Sequence, residues 1–289
     1  MAHPRLSVVI PTWNRAQLVC EAIESALSQR GGDVEVIVVD DGSTDGTSDV
    51  VEQRFGRLVK LLGMPCRSGA GAARNAGVRQ ARGDLLAFLD SDDLWLPGKL
   101  EAELAVLDRF PGAEAIVSDS RFIADGHLSA GSRFAENGAL AATQGRAGWV
   151  EESPWLWTVS YNGVSTCAIT LCRQAVTKLG QPLFALDHIS CEDWELEVRL
   201  YQECRVVALP EAWSHVRYID DGTRIGRACP GKHRNREQEI ALLRDRLIVM
   251  GRSIRPDKLT PALAAAMEHY RSACSQELAQ LEAIQSSCL

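Results

Sequence analysis

Nowhere does this 289-residue sequence approach the run of about 18 apolar residues that a membrane-spanning helix needs, so no span is expected. The opening MAHPRLSVVIPTWN carries an apolar run too short for a signal peptide. Nine cysteines, at 20, 66, 167, 172, 191, 204, 229, 274 and 288, include no CxxC pair. Zinc and disulfide frameworks therefore fit badly, and reduced thiols in a cytoplasmic protein are expected, with Cys167 and Cys172 on one strand. Net positive charge is lacking too: 31 Lys and Arg against 38 Asp and Glu give −7. That argues against a nucleic-acid partner, which needs a basic surface to displace counterions. There is no internal repeat and no low-complexity tract.

What is present is a hydrophobic content of 46%, enough for a large core. Short β-rich apolar runs occur at 6–10, 34–40, 57–62, 84–90 and 113–119 and read as strands buried on both faces. Helical stretches at 16–29, 47–55, 72–81 and 99–110 separate them, the first with Asn14 placed as its N-cap and Gln17 three positions on. This alternation predicts a doubly wound, mostly parallel α/β sheet. Beyond residue 119 the pattern loosens. Residues 125–148 read as a loop, 155–172 and 204–210 as strands, 191–203 as an amphipathic helix and 217–236 as a basic, Gly-containing loop. Two more helices follow, at 236–251 and 260–284, the second opened by Thr260 and Pro261.

In open α/β sheets ligands bind beyond the carboxyl ends of the strands. Here those ends carry PTWN (11–14), DDGSTD (40–45), GMPCRSGAG (63–71) and SDDLW (91–95). Gly69-x-Gly71 opening a helix imitates a dinucleotide fingerprint, but Arg74 stands where the third glycine belongs, and six residues separate Leu62 from Gly69. Arg67 and Arg74 make better sense as phosphate or base contacts. DDGS is first a turn, with Ser43 or Thr44 able to cap the next helix, although Asp40 is placed to accept a base N–H. In FLDSDDLW, Asp90, Asp92 and Asp93 follow a buried run; a helix dipole accounts for one carboxylate, not three. Asp90-Ser91-Asp92 sets two carboxylates on one side of an extended segment, which suits Mg²⁺ or Mn²⁺ with a diphosphate. In CEDWEL, Asp193 is a candidate general base beside Trp194, an apolar neighbour able to raise its pKa.

SVVIPTWNRAQLVCEAIESALSQ, VIVVDDGSTDGT, GAARNAGVRQARGDLLAFLDSDDLWLP and EDWELEVRL together resemble the family 2 inverting glycosyltransferases with a GT-A fold, over about residues 6–217. The resemblance implies a Rossmann-like nucleotide-diphospho-sugar transferase domain, 1–217. Within it, 1–119 would bind the donor and 120–217 shape the acceptor side, while 218–289 would hold the basic loop and a C-terminal helical extension. It implies donor binding by Pro11, Thr12, Trp13, Asn14, Asp40, Asp41, Arg67, Arg74, Asp90 and Ser91, a metal on Asp92 or Asp93 (Mn²⁺ or Mg²⁺), and Asp193 as the base. The donor would be a nucleotide sugar, a UDP-sugar by preference. Two motifs depart from the family. Val216-Arg217-Tyr218-Ile219 replaces its Tyr-Arg-x-His, with His215 four positions early, and RSGAGA replaces its Asn-x-Gly-x-Ser.

The mechanism implied is a single displacement with inversion. His215, Arg217, Arg224, Arg227 and Lys232, with His233 and Arg234, would act on the diphosphate or acceptor, the basic loop excluding water; a solvated face is the plainer alternative. Leu263, Met267, Tyr270, Cys274, Leu278 and Leu281 share a helical stripe suited to core packing or a homodimer. The acceptor stays open: an oligosaccharide, a natural product, a peptide, or a lipid-linked molecule met peripherally at a membrane. So do two other classes, a non-catalytic nucleotide-sugar-binding protein and a nucleotidyltransferase on a similar sheet, although the Gly-rich first turn of the latter is absent.

Overall fold

Strands covered by helices on both faces can carry near-continuous apolar runs, and the first strands here do so. In the computed structural model, which describes residues 3–150, 163–186, 191–219, 236–252 and 261–287, β1 (Leu6–Thr12) is buried throughout and β2 (Val34–Asp40) over its last five residues. β3 (Val59–Gly63) and β4 (Leu85–Phe88) complete a parallel set in the order β3-β2-β1-β4. Side chains of β1 alternate between two cores. Leu6, Val8 and Ile10 meet α1 (Ala16–Leu27) and α2 (Thr47–Phe55), whereas Val9 packs with Ala73 and Val78 of α3 (Ala70–Val78). Gly77 lets α3 lie that close, since a Cβ there would stand 2.3 Å from Val9 Cγ1.

Past β4 the sheet turns mixed. β5 (Leu94–Trp95), α4 (Lys99–Arg109) and β6 (Ala115–Ala124) are followed by β7 (His127–Ser132), α5 (Arg133–Asn137), α6 (Ala139–Ala142) and β8 (Gly148–Trp149). After residue 163 come β9 (Ile169–Cys172), α7 (Arg173–Leu179), α8 (Glu192–Glu203), β10 (Val206–Tyr218), α9 (Arg236–Arg252) and α10 (Pro261–Ser287). β9 runs antiparallel between β4 and β6, β10 is parallel to β6, and β5 closes the edge antiparallel to β10. The parallel expectation thus describes the N-terminal half of the sheet.

Several local expectations are corrected. Residues 125–148 are not a plain loop: β6 and β7 form a hairpin through Asp125 and Gly126, both at positive φ (51° and 76°). Asp-Gly between two strands is a turn signal, so this element was readable. β10 runs on to Tyr218, with register irregularities between Leu209 and Ser214, because its far half pairs with β6 and β5. Asn14 does not cap α1; Arg15 holds the cap position, with no side-chain cap bond. Ser43 and Thr44 do not cap α2, which starts behind Gly46. Cys167 lies in a short 3₁₀ turn, and only Cys172 is on β9. Residues 151–162, which include the first eight of the expected strand at 155–172, and Thr260 lie outside the described residues.

Four residues of the stripe on α10 are core within the chain, and the side chain of Leu263 lies outside the described ones. Tyr270, Cys274, Leu278 and Leu281 pack with Leu243, Val249 and Met250 of α9 and with Trp194 and Val198 of α8. Trp194 and Tyr270 meet edge to face at 6.4 Å. No helix among the described residues is long and apolar enough to cross a membrane.

Candidate functional site

The loops after β1 and β2 are knitted into one wall. Asp41 N–H donates to the Thr12 carbonyl (2.9 Å), Asn14 N–H to Ser43 Oγ (2.8 Å) and Thr44 N–H to Asn14 Oδ1 (2.8 Å). Asn14 adopts positive φ (51°), which Asn tolerates better than most residues. Asp40 is spent locally: Oδ1 accepts from Ser43 N–H at 2.8 Å and Oδ2 from the Ser48 hydroxyl. Asp41 reaches sideways, its two oxygens accepting from Ser68 and Gly69 N–H, each at 2.7 Å, and so fixes the loop after β3. Pro11 and Thr12 are buried in the strand, with Thr12 Oγ1 lacking a partner among the described residues. Trp13 and Arg67 form a stack, the guanidinium carbon 3.6 Å from the ring centroid. A cation over indole in this way gains about 0.5–2 kcal/mol and offers a flat platform at the rim of the wall.

Asp90, Asp92 and Asp93 sit just past β4, and one carboxylate oxygen of each lies within 4.8 Å of the others. Three charges so close repel, and the chain supplies the compensation itself. Asp90 Oδ1 accepts from Arg74 Nη2 at 2.6 Å, and Asp92 Oδ2 from Arg15 Nη1 at 2.7 Å. Asp93 Oδ1 accepts from the Arg217 backbone N–H at 3.0 Å. The Arg217 guanidinium turns to the Asp92 carbonyl and the Glu21 carboxylate, and so braces the motif from β10. A dipole role for Asp92 or Asp93 is not seen, because α4 begins only at Lys99 behind Gly98. Ser91 is buried between the aspartates.

Arg74 joins the two halves of the site. Its side chain is 5% exposed; Nη2 holds Asp90 while Nη1 donates to Glu192 Oε1 at 2.7 Å, at the start of α8. The carboxylates raise the Arg74 pKa, so the guanidinium stays charged despite burial. Burial first, then the neighbouring Asp193 charge, pushes the Glu192 carboxyl up, against the pull of Arg74. The two helix starts touch: a Cβ on Gly71 would stand 3.2 Å from Glu192 Cγ. Asn75, one residue beyond Arg74, clamps Phe184, donating to its carbonyl (2.8 Å) and accepting its N–H (2.9 Å). The Phe184 ring then packs on Phe88 and beneath Arg74.

Asp193 follows Glu192 in the first turn of α8, behind Cys191, a non-glycine residue at φ 67°. Such a conformation costs about 1–3 kcal/mol and persists where the surroundings enforce it. Asp193 Oδ1 accepts from Trp194 N–H at 2.8 Å, and Thr166 Oγ1 lies 3.5 Å from Oδ2. Trp194 directs its ring into the α8–α9–α10 cluster. One turn on, Glu197 is fully buried, accepts from Gly163 N–H at 3.2 Å and has an unpartnered Oε1. Burial, then the Asp193 charge, holds its carboxyl well above the usual carboxylate range. His215 lies in β10, in register with Leu94 and Arg121; burial and then Arg121 lower its pKa.

Contacts therefore link the expected residues beyond the carboxyl ends of the first four strands, and Arg74 ties them to Glu192, beside Asp193. Arg224, Arg227, Lys232, His233 and Arg234 lie outside the described residues. Arg15, Glu192, Asn75 and Glu197 escaped the sequence reading. Only Glu192, beside Asp193, carried a local signal. As for a divalent ion, the Asp90-Asp92-Asp93 cluster is the one group of three potential ligand residues found among the described residues. Its all-oxygen donors fit Mg²⁺ or Mn²⁺, which complete their shells with water and phosphate.

Residues 7–172 match the glycosyl transferase family 2, more than half of the chain. A putative teichuronic acid biosynthesis glycosyltransferase of Bacillus subtilis, TuaG, is 39% identical over 103 residues, 35% of this chain and 41% of that protein. The succinoglycan biosynthesis protein ExoO of Rhizobium meliloti is 40% identical over 116 residues, 40% of this chain and 33% of that one. The matches thus span less than half the length of these relatives. Among solved structures, S. aureus TarS 1–349 in complex with UDP-GlcNAc superposes with a TM-score of 0.64 at 21% identity, covering 96% of this chain and 71% of that one. The mannosyltransferase PcManGT of Pyrobaculum calidifontis, in complex with GDP-Man and Mn²⁺, gives 0.66 at 19% identity, covering 99% and 75%. These likenesses establish the GT-A type of fold, and the matched segment contains the walls after β1 and β2 and the whole aspartate cluster. The chain belongs to glycosyl transferase family 2.

Proposed function

We propose that this chain is a metal-dependent, inverting glycosyltransferase that moves a sugar from a UDP-sugar to an acceptor nucleophile. The observation that supports this is a single chain of contacts, Asp90–Arg74–Glu192, which ties the aspartate cluster to the start of α8, next to Asp193. A donor lying along the strand ends would place its base by Trp13 and its diphosphate by Asp90, Asp92 and Asp93, with Arg67 at the rim. A divalent ion on Asp92 or Asp93 would supply charge stabilisation for the leaving diphosphate. Asp193 takes the proton from the acceptor as it attacks the anomeric carbon, and a single displacement inverts that centre. TuaG and ExoO are named for polysaccharide synthesis, which supports a saccharide acceptor here.

The test is Asp193→Asn assayed for transfer from UDP-sugars and for UDP affinity. Loss of a general base lowers turnover by about 10²–10⁴-fold with UDP affinity nearly intact. Unchanged turnover would remove Asp193 from the chemistry.

A further inference from the structure

Arg15 has no part in the mechanism above, yet it contacts the centre of the site. It stands where α1 begins, its backbone N–H donating to Thr47 Oγ1 at 3.0 Å. Its side chain reaches Asp92 Oδ2 at 2.7 Å, with both side chains largely shielded at 13% and 12% exposure. The guanidinium cannot give up its proton in any ordinary pH range, so one oxygen of Asp92 faces a permanent positive charge. Asp90 is engaged by Arg74 and Asp93 by the Arg217 N–H, so every carboxylate of the cluster already has a donor. A divalent ion arriving at Asp92 must displace Arg15 or settle within about 5 Å of it. At that separation a double and a single positive charge repel by about 1.5 kcal/mol even with the dielectric constant of water, which corresponds to roughly tenfold in affinity. The diphosphate of a nucleotide carries the negative oxygens that would offset both cations.

We propose that Arg15 is an internal counter-cation for Asp92, which offsets part of the negative charge of the aspartate cluster before the donor arrives and makes divalent-ion binding depend on the donor's diphosphate. This rests on reading the cluster as a metal–diphosphate site. Arg15 is then a positioning residue: it sets the order in which the ion and nucleotide are taken up and takes no part in the bond-making step.

The experiment titrates Mn²⁺ into wild type, Arg15→Gln and Arg15→Lys. Bound ion is read from the electron paramagnetic resonance of free Mn²⁺, without nucleotide and with saturating UDP, against a UDP blank. Wild type and Arg15→Lys are expected to take up Mn²⁺ tightly only with UDP. Arg15→Gln is expected to bind Mn²⁺ alone about tenfold more tightly than wild type does. Circular dichroism melts establish that Arg15→Gln is folded; Arg15→Met, which keeps the apolar stem, replaces it otherwise. Equal Mn²⁺ affinity of wild type and the uncharged variant without UDP overturns the proposal, while uptake with UDP in both leaves the metal–diphosphate site standing. Tight binding of Mn²⁺ alone by Arg15→Lys also overturns it, since charge would then not be the cause. If UDP brings no Mn²⁺ to wild type, the site reading fails and the proposal fails with it.

Discussion

Replacing Arg74 by Ala removes one guanidinium from between two carboxylates, Asp90 at 2.6 Å and Glu192 at 2.7 Å. Arg74 is 5% exposed, so water cannot take its place at full strength; Asp90 is 29% and Glu192 17% exposed. Stranding one partner of a buried pair costs about 3–5 kcal/mol, and the partial access of Asp90 to solvent puts the expected loss near the low end, about 3 kcal/mol. The assay is urea unfolding followed by tryptophan fluorescence, with the midpoint falling at unchanged slope. Adding Glu192→Gln removes one stranded charge, so Arg74→Ala/Glu192→Gln should lose less than the sum of the single variants, by about 1–3 kcal/mol. Strict additivity of the two would refute the bridge. Arg74→Lys keeps the charge without the fork and should fall between wild type and Arg74→Ala.

Glu197→Gln tests the buried acid one turn from Asp193. The folded chain keeps the Glu197 proton while the unfolded chain releases it near pH 4.3, so wild-type stability falls as pH rises from there through the raised folded value. The variant's advantage in thermal melts should therefore grow as pH rises above about 4.3 towards the raised folded value, by up to about 1.4 kcal/mol per unit; a gap that widens towards acid would mean an ionised Glu197. Asn75→Ala leaves the Phe184 N–H and carbonyl without their partner, a loss of about 2–4 kcal/mol measurable by urea unfolding. An effect below about 0.5 kcal/mol would remove the clamp from the account.

The parallel half of the fold was legible because both-face burial leaves uninterrupted Val, Ile and Leu runs, and strand-end turns follow each of them. The same logic made the DSDD cluster visible, whereas Asp193 was legible from the first turn of a helix and from the family resemblance. What the chain does with its charges was not legible. Arg74 and Glu192 are 118 residues apart, Asn75 and Phe184 109 and Arg15 and Asp92 77, and no local pattern links partners that only tertiary packing brings together. Asp41 reads as a second ligand in DDGS but works as a strut for the loop at Ser68 and Gly69. Arg217 belongs by sequence to a basic loop, yet β10 continues through it and turns it into a brace under Asp92.

The central claim is that the aspartate cluster holds a nucleotide diphosphate through a divalent ion. Calorimetric titration of UDP into the wild-type chain, in Mn²⁺ and again in EDTA, tests it most directly. Binding in Mn²⁺ is expected to be at least about tenfold tighter, or ~1.4 kcal/mol, than in EDTA. Equal affinity under both conditions, or no binding in Mn²⁺, would contradict it.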